Sequence, residues 1–160
     1  MKHLQGVALA ALMGIAGTTA AQLKPSGPRT PPLPPTSTEV RKQEAQEVKE
    51  LAGRLAAEKW LAFLDAGDYG KAWDESAKAF RERVPRERWV ESLPTTRGAL
   101  GAVKSRRVEV SSFKPSLPGM PDGDYVTVRF STSFEKKDDA QELVTLVLDG
   151  GVWRALGYGI

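Results

Sequence analysis

The residues best suited to chemistry lie at a break between two predicted helices. Two carboxylates, Asp65 and Asp68, stand three positions apart and are flanked by the aromatic residues Trp60, Tyr69 and Trp73. A carboxylate held in an apolar pocket has a raised pKa and can act as a general acid or base. The competing interpretation is structural: Asp68 caps the second helix, Asp65 faces solvent, and the tryptophans fill the core. The structural interpretation is favoured because a cap accounts for Asp68 without any catalysis.

Two arginines on predicted strands, Arg107 and Arg129, are candidate anion-binding residues. Either would serve if its side chain pointed into a cavity, although placement on the surface is the plainer expectation. Together with Asp65, Tyr69 and Trp73 they form the set of candidate ligand-binding residues. The sequence supports no assignment of a catalytic residue or a metal ligand.

The composition removes several classes of site. The chain has no cysteine, and its only histidine is His3. Sites of the Ser-His-Asp or Cys-His type are therefore excluded from the mature domain, as are zinc sites built from cysteine and histidine. Carboxylates, lysine, tyrosine, serine and threonine remain, together with metals bound by oxygen. We expect no cofactor.

The first 21 residues have the pattern of a cleavable export signal. A short positive start precedes the uncharged apolar run Leu4–Ala16, and small residues follow before Gln22. The run is shorter than the roughly 20 residues of a membrane-spanning helix. We therefore expect a periplasmic or secreted protein with no transmembrane span after signal removal. Without the signal, 22 basic and 20 acidic residues remain, a net charge of +2 that does not call for a nucleic-acid partner.

The rest of the chain divides into a spacer and one domain. Residues 22–38 are rich in proline, which favours an extended spacer over a packed structure. Residues 39–160 are long enough for a single domain of ordinary size.

Helices are predicted in the first half of that domain. Thr36 and Glu39 have the spacing of a capping box, and apolar residues then recur at helical spacing up to Asp65. Gly67 suits the left-handed position after this helix. Further helical segments are expected over 69–76 and 77–83 and from Val84-Pro85 onward, with Pro94 ending or kinking the last of them.

Strands are predicted in the second half. From Val103 the sequence becomes rich in Val, Thr, Phe and Tyr, and turn residues separate four runs: 103–113, 125–134, 141–148 and 152–160. Asp149-Gly150-Gly151 is a strong hairpin signal, and short links require antiparallel neighbours. The predicted fold class is α+β, with about three N-terminal helices packed on a four-stranded antiparallel curved sheet.

This order of elements and motifs resembles a bacterial family known as domain of unknown function 4019. The resemblance covers roughly residues 52–160 and rests on Trp60-Leu61, Asp65 to Tyr69, Trp73, Phe80, Trp89, Leu100 to Arg106, Leu117 to Gly119, Pro121 to Tyr125, and Gly157-Tyr158. The family has no established activity, so the resemblance implies no catalytic residues. More distantly, the arrangement resembles the cystatin-like and nuclear-transport-factor-2-like folds, which hold isomerases, hydrolases and non-catalytic binders; a fold does not fix a function.

Three functional hypotheses follow. The leading one is a non-enzymatic binding or interaction domain of the cell envelope, whose partner is an envelope protein or a small ligand. The first alternative is a small isomerase- or hydrolase-like enzyme that uses one pocketed carboxylate. The second alternative is a structural or stress-protective envelope protein.

Overall fold

The protein is described here by a computed structural model that covers residues 36–160. The predicted signal, residues 1–21, and most of the predicted spacer, residues 22–35, lie outside the described residues. Within 36–160, four α-helices and one short 3-10 helix precede four strands. Their bounds are α1 Ser37–Asp65, α2 Tyr69–Asp74, α3 Lys78–Arg83, α4 Arg86–Thr96, the 3-10 helix Gly98–Leu100, β1 Val103–Lys114, β2 Tyr125–Phe134, β3 Ala140–Asp149 and β4 Val152–Gly159.

This order confirms the α+β class but corrects the number of helices. The expected count was about three, and the described domain has four α-helices. The expected segments 69–76 and 77–83 are two separate helices, α2 and α3, and α3 is separated from α4 because Val84 adopts an extended backbone (φ −119°, ψ 103°) immediately before Pro85.

Helix α1 begins with the predicted capping box. The backbone N–H of Glu39 donates to the Thr36 hydroxyl at 3.3 Å, and the Glu39 carboxylate accepts from the backbone N–H of Thr36 at 2.7 Å. The helix therefore starts at Ser37, directly after the capping residue. The residues that it buries recur every three or four positions: Gly53, Ala57, Trp60, Leu61 and Leu64.

The corner between α1 and α2 was only partly predicted. Gly67 has φ +75°, as the left-handed position requires, and the N–H of Asp68 donates back to the Phe63 carbonyl at 2.8 Å. Asp68 does occupy the N-cap of α2, but its side chain forms no capping hydrogen bond. The expected side-chain cap is wrong because the backbone of Asp68 (φ −80°, ψ 56°) departs from the extended conformation typical of a capping residue.

Pro94 does not end α4. The helix continues to Thr96 with Pro94 inside it. In this turn the hydroxyl groups of Thr95 and Thr96 donate hydrogen bonds to the Ser92 carbonyl at 2.8 and 3.0 Å. These side-chain bonds support the turn in which proline removes a backbone donor.

The four strands form one antiparallel meander in the order β1-β2-β3-β4, as predicted. The β3–β4 hairpin has the two-residue loop Gly150-Gly151, with φ +59° and +82°, between the paired residues Asp149 and Val152. Two consecutive positive φ values are the signature of a type I′ turn. The sheet, which the sequence predicts to be curved, is neither closed nor strongly curled, and β1 and β4 form its two separate edges in the described domain.

The main core lies between α1 and one face of the sheet. Strand residues on that face interlock with buried residues of the helices; they are Val126, Val128, Phe130, Val144, Leu146 and Ala155. The indole N–H groups join the helices, since Trp60 donates to the Ala72 carbonyl at 2.8 Å and Trp89 to the Tyr69 carbonyl at 2.9 Å. Trp60 and Trp89 are buried, which agrees with the packing interpretation of these aromatics.

Gly53 sets the closest approach of α1 to the sheet. A β-carbon at this position would lie 2.6–2.8 Å from the side-chain atoms of Val126, which is fully buried and cannot move aside. We expect Gly53→Ala to lower the free energy of unfolding by about 1–2 kcal/mol, because overpacking outweighs the gain of roughly 1 kcal/mol in helix propensity. Urea denaturation measures this. The matched control is Gly70→Ala, whose new methyl group meets only the flexible end of the exposed Arg86 side chain and leaves stability unchanged or higher. Equal stability of Gly53→Ala and the unmodified protein would disprove the steric argument.

Candidate functional site

A carboxylate with no exposed surface lies at the centre of a polar network inside the sheet. One oxygen of Glu142, on β3, accepts hydrogen bonds from the Tyr158 hydroxyl at 2.7 Å and from Arg97 Nε at 3.3 Å. Its other oxygen accepts from Arg106 Nε at 2.8 Å and from the Thr132 hydroxyl at 2.7 Å. Four donors from three strands and the end of α4 therefore satisfy one buried anion.

Asp65, the last residue of α1, closes the network on its more exposed side. Its two oxygens accept from Arg106 Nη1 and Nη2 at 2.8 and 2.9 Å, a bidentate pair, and one of them also accepts from Arg97 Nη2. Arg97 Nη1 donates to the Leu64 carbonyl at 3.1 Å, and the guanidinium lies over the Phe134 ring, 5.2 Å from its centroid. Two arginines thus neutralise two carboxylates.

The ionisation of this network favours a fixed structure. Burial raises the pKa of Asp65, but the hydrogen bonds and charges of Arg106 and Arg97 outweigh burial and bring the pKa below its ordinary value. Burial, reinforced by the Glu142 carboxylate, raises the pKa of Tyr158 well above that of a free phenol. Tyr158 therefore remains a donor, and Asp65 remains ionised at neutral pH. A general acid would require the opposite shift at Asp65.

The sequence offered signals for part of this network. Glu142 alternates with the buried residues Val144 and Leu146, so strand periodicity could have placed it on the inner face. Arg106 and Arg107 do lie on opposite faces of β1, as alternation requires, and it is Arg106 that points inward. No local pattern could have identified Arg97, because its partner Glu142 is 45 positions away.

The candidate residues at the helix corner have separate roles. Asp65 belongs to the network. The side chain of Tyr69 is half-buried against the core, and its backbone carbonyl accepts the Trp89 indole N–H. Trp73 is also half-buried, and its indole N–H donates to the Val84 carbonyl at 2.7 Å.

The two candidate arginines do not join them. The side chain of Arg107 is 73% exposed and its nearest carboxylate is that of Glu109, at 3.6 Å. Arg129 is exposed, at a position between the inward-facing residues Val128 and Phe130. The structure therefore does not bring Asp65, Tyr69, Trp73, Arg107 and Arg129 together in one site.

A groove that sequence reasoning did not identify lies between α1, α2 and the β3–β4 hairpin. Its volume is about 910 Å³, and its lining includes the aromatic residues Trp60, Phe63 and Trp153. Smaller apolar side chains extend this surface: Ala52, Leu55, Ala56, Ala62, Val152 and Ala155. The groove is thus mostly apolar and broad enough for a small ligand.

Charged side chains line the same groove, and most of them are basic. They are Lys59, Lys71, Arg154 and the single acid Glu75. Glu75 lies 3.5 Å from Arg154, and the Lys71 ammonium lies over the Phe63 ring, 4.7 Å from its centroid. The groove therefore carries excess positive charge beside aromatic surface, which suits a ligand with an apolar body and an acidic group.

Two further features, a metal-binding cluster and a membrane-spanning helix, are not found among the described residues. Residues 36–160 contain no cluster of His, Cys, Asp and Glu that could hold a metal ion. No helix among the same residues is long and apolar enough to cross a membrane.

Removal of the central carboxylate tests the network. Glu142→Gln keeps the shape of the side chain but leaves the buried Arg97 and the half-buried Arg106 without their shared anion. We expect a loss of about 3–5 kcal/mol in the free energy of unfolding, measured by urea denaturation. The control Glu91→Gln changes an exposed glutamate and shifts stability by less than about 0.5 kcal/mol. A loss at Glu142 no larger than the control's would contradict the assigned role.

The pH dependence of stability tests Asp65. Because its pKa in the folded protein lies below the unfolded value of about 3.9, its stabilising contribution is complete above about pH 5 and is lost as pH falls through the folded value. We expect Asp65→Asn to lower stability near neutral pH and to lose less stability than the unmodified protein on acidification below about pH 4. Unfolding measured at both pH values checks this. The control Asp68→Asn, an exposed residue outside the network, retains the steep acid dependence, and an unchanged profile in Asp65→Asn would refute the assignment.

Comparison with known proteins places this arrangement in a family. A search of curated proteins finds no match to the chain. A family model described as "Protein of unknown function (DUF4019)" matches residues 56–158, which include the whole sheet up to Tyr158 and the residues of the polar network. Since this match covers more than half of the chain, the protein belongs to the family of proteins of unknown function DUF4019.

Proposed function

We propose that this protein is a non-enzymatic binding domain of the cell envelope, which holds a small amphipathic anion in the groove between α1, α2 and the β3–β4 hairpin. The observation that carries the proposal is the combination of an apolar, aromatic lining with basic side chains in one groove. Apolar area supplies affinity for the ligand body, and a few charged groups fix its orientation. Of the two kinds of partner considered from the sequence, an envelope protein or a small ligand, this geometry favours the ligand.

The alternative of a small enzyme receives less support. An isomerase- or hydrolase-like mechanism needs a carboxylate able to exchange protons near neutral pH. Asp65, the candidate for that role, is bound by two arginines that lower its pKa. The carboxylate in the groove itself, Glu75, lies beside Arg154 on the exposed surface.

Export is part of this proposal and rests on the sequence. The apolar run Leu4–Ala16 and the small residues before Gln22 support secretion through the inner membrane, with the domain acting in the periplasm or outside the cell. The packing of a long helix on an antiparallel sheet also supports, as a proposal, a distant likeness to cystatin-like and nuclear-transport-factor-2-like domains. A mature chain whose measured mass still includes residues 1–21 would contradict export.

Binding is tested with decanoate as the anionic probe and decanol as its neutral counterpart, by isothermal titration calorimetry on residues 22–160. We expect decanoate to bind more tightly than decanol, because only the anion pairs with the basic residues. Trp153→Ala and Lys71→Glu should each weaken decanoate binding by about tenfold or more.

The matched control is Lys136→Glu, which reverses an exposed lysine outside the groove and leaves binding unchanged. Absence of decanoate binding, or equal loss in the control, would overturn the proposed site. Tight binding that both Trp153→Ala and Lys71→Glu leave intact would place the ligand elsewhere and have the same consequence.

A further inference from the structure

Helix α1 carries a second apolar surface, on the side opposite its buried face. Val48, Leu51 and Leu55 are 66%, 49% and 49% exposed, and we call these three residues the outer stripe. At 100° per residue the stripe is centred about half a turn from the residues that α1 buries against the sheet, such as Gly53 and Leu64. A helix that serves only to cover a sheet has polar residues on this side.

Two charges frame the outer stripe with mirrored spacing. Glu44 stands four residues before Val48, and Lys59 stands four residues after Leu55, both on the same side of the helix. Both are exposed, and neither forms an ion pair with another residue of the described domain. Read in the opposite chain direction, Val48 and Leu55 exchange places, as do the two charges, and Leu51 exchanges with Ala52.

We propose that two copies of this chain associate through α1, with the two helices antiparallel and a twofold axis passing between Leu51 and Ala52. This pairing places Val48 opposite Leu55 of the partner subunit. It also places Glu44 opposite Lys59 of the partner subunit, and symmetry repeats both contacts. A parallel pairing would instead set Glu44 against its own copy and Lys59 against its own copy, which like-charge repulsion disfavours.

The extent of the surface sets the expected strength. From Glu44 to Lys59 the helix is roughly 22 Å long, so one such contact is small for a permanent dimer. We therefore expect a reversible dimer that dissociates in about the micromolar range. The outer stripe adjoins the groove, since Leu55 and Lys59 also line it, whereas Val48 and Glu44 lie outside the groove. Variants of Val48 and Glu44, measured by sedimentation without ligand, therefore test association separately from the proposed function.

Sedimentation of residues 22–160 over a series of protein concentrations tests this. The unmodified chain should convert from monomer to dimer as concentration rises. Glu44→Lys should weaken association by about tenfold or more, since the change occurs twice in the dimer. The double variant Glu44→Lys/Lys59→Glu should restore association to within a few-fold of the original, because both ion pairs are re-formed with exchanged sign.

Val48→Glu should abolish the dimer, whereas the control Val110→Glu, another exposed valine at 50% exposure on β1, should leave it intact. Circular dichroism confirms that each variant is folded. A chain that stays monomeric at all concentrations overturns the proposal, as would a dimer that Val48→Glu leaves unchanged or a double variant that fails to recover.

The absence of cysteine allows the orientation to be tested directly. After mixing and oxidation, Val48→Cys and Leu55→Cys chains should form disulfide dimers that contain one chain of each kind, identified by mass. Efficient linkage of Val48→Cys chains to one another, without the mixed product, would show a parallel arrangement and overturn the antiparallel model.

Discussion

The domain depends on the neutralisation of one buried anion. An ionised carboxylate inside a protein costs several kcal/mol unless charges and hydrogen bonds compensate it. The compensation for Glu142 comes from Arg97, Arg106, Thr132 and Tyr158, which belong to separate elements. Displacement of any of these elements would remove a hydrogen-bond donor from the buried carboxylate of Glu142. The network therefore makes the docking of α4 and the pairing of all four strands depend on one another.

The network also fixes which arrangement the chain adopts. Apolar residues of similar volume would often give equal stability, so buried ion pairs are better understood as selecting one arrangement among several compact ones. Asp65 extends this selection to α1, because its bidentate pair with Arg106 ties the end of the helix to β1. In this protein, we attribute the position of α1 on the sheet to the charged network and most of the stability to the apolar core.

Local signals in the sequence were sufficient for most of the fold. The capping box at Thr36, the turn at Gly67, the change of period at Val103 and the two-glycine hairpin are each read from a few neighbouring residues, and the structure confirms them. What could not be predicted depends on distant partners. The sequence marks Asp65 as a candidate site residue because it is a carboxylate near aromatic rings. Its role in the structure is instead determined by ion pairs with arginines 32 and 41 positions away. The groove also escaped notice, because it forms only when the β3–β4 hairpin approaches α1.

Trp60 connects the network to the groove. Its ring lies 5.6 Å from that of Tyr158, whose hydroxyl is held by Glu142, and its indole N–H is bound to the Ala72 carbonyl. The same side chain forms part of the groove lining. This part of the proposed binding surface is therefore preorganised: a ligand need not immobilise the Trp60 ring and loses little affinity to ordering it. A fixed ring in the groove lining cannot move to fit ligands of different shape. We therefore expect the proposed site to bind ligands of a narrow range of widths.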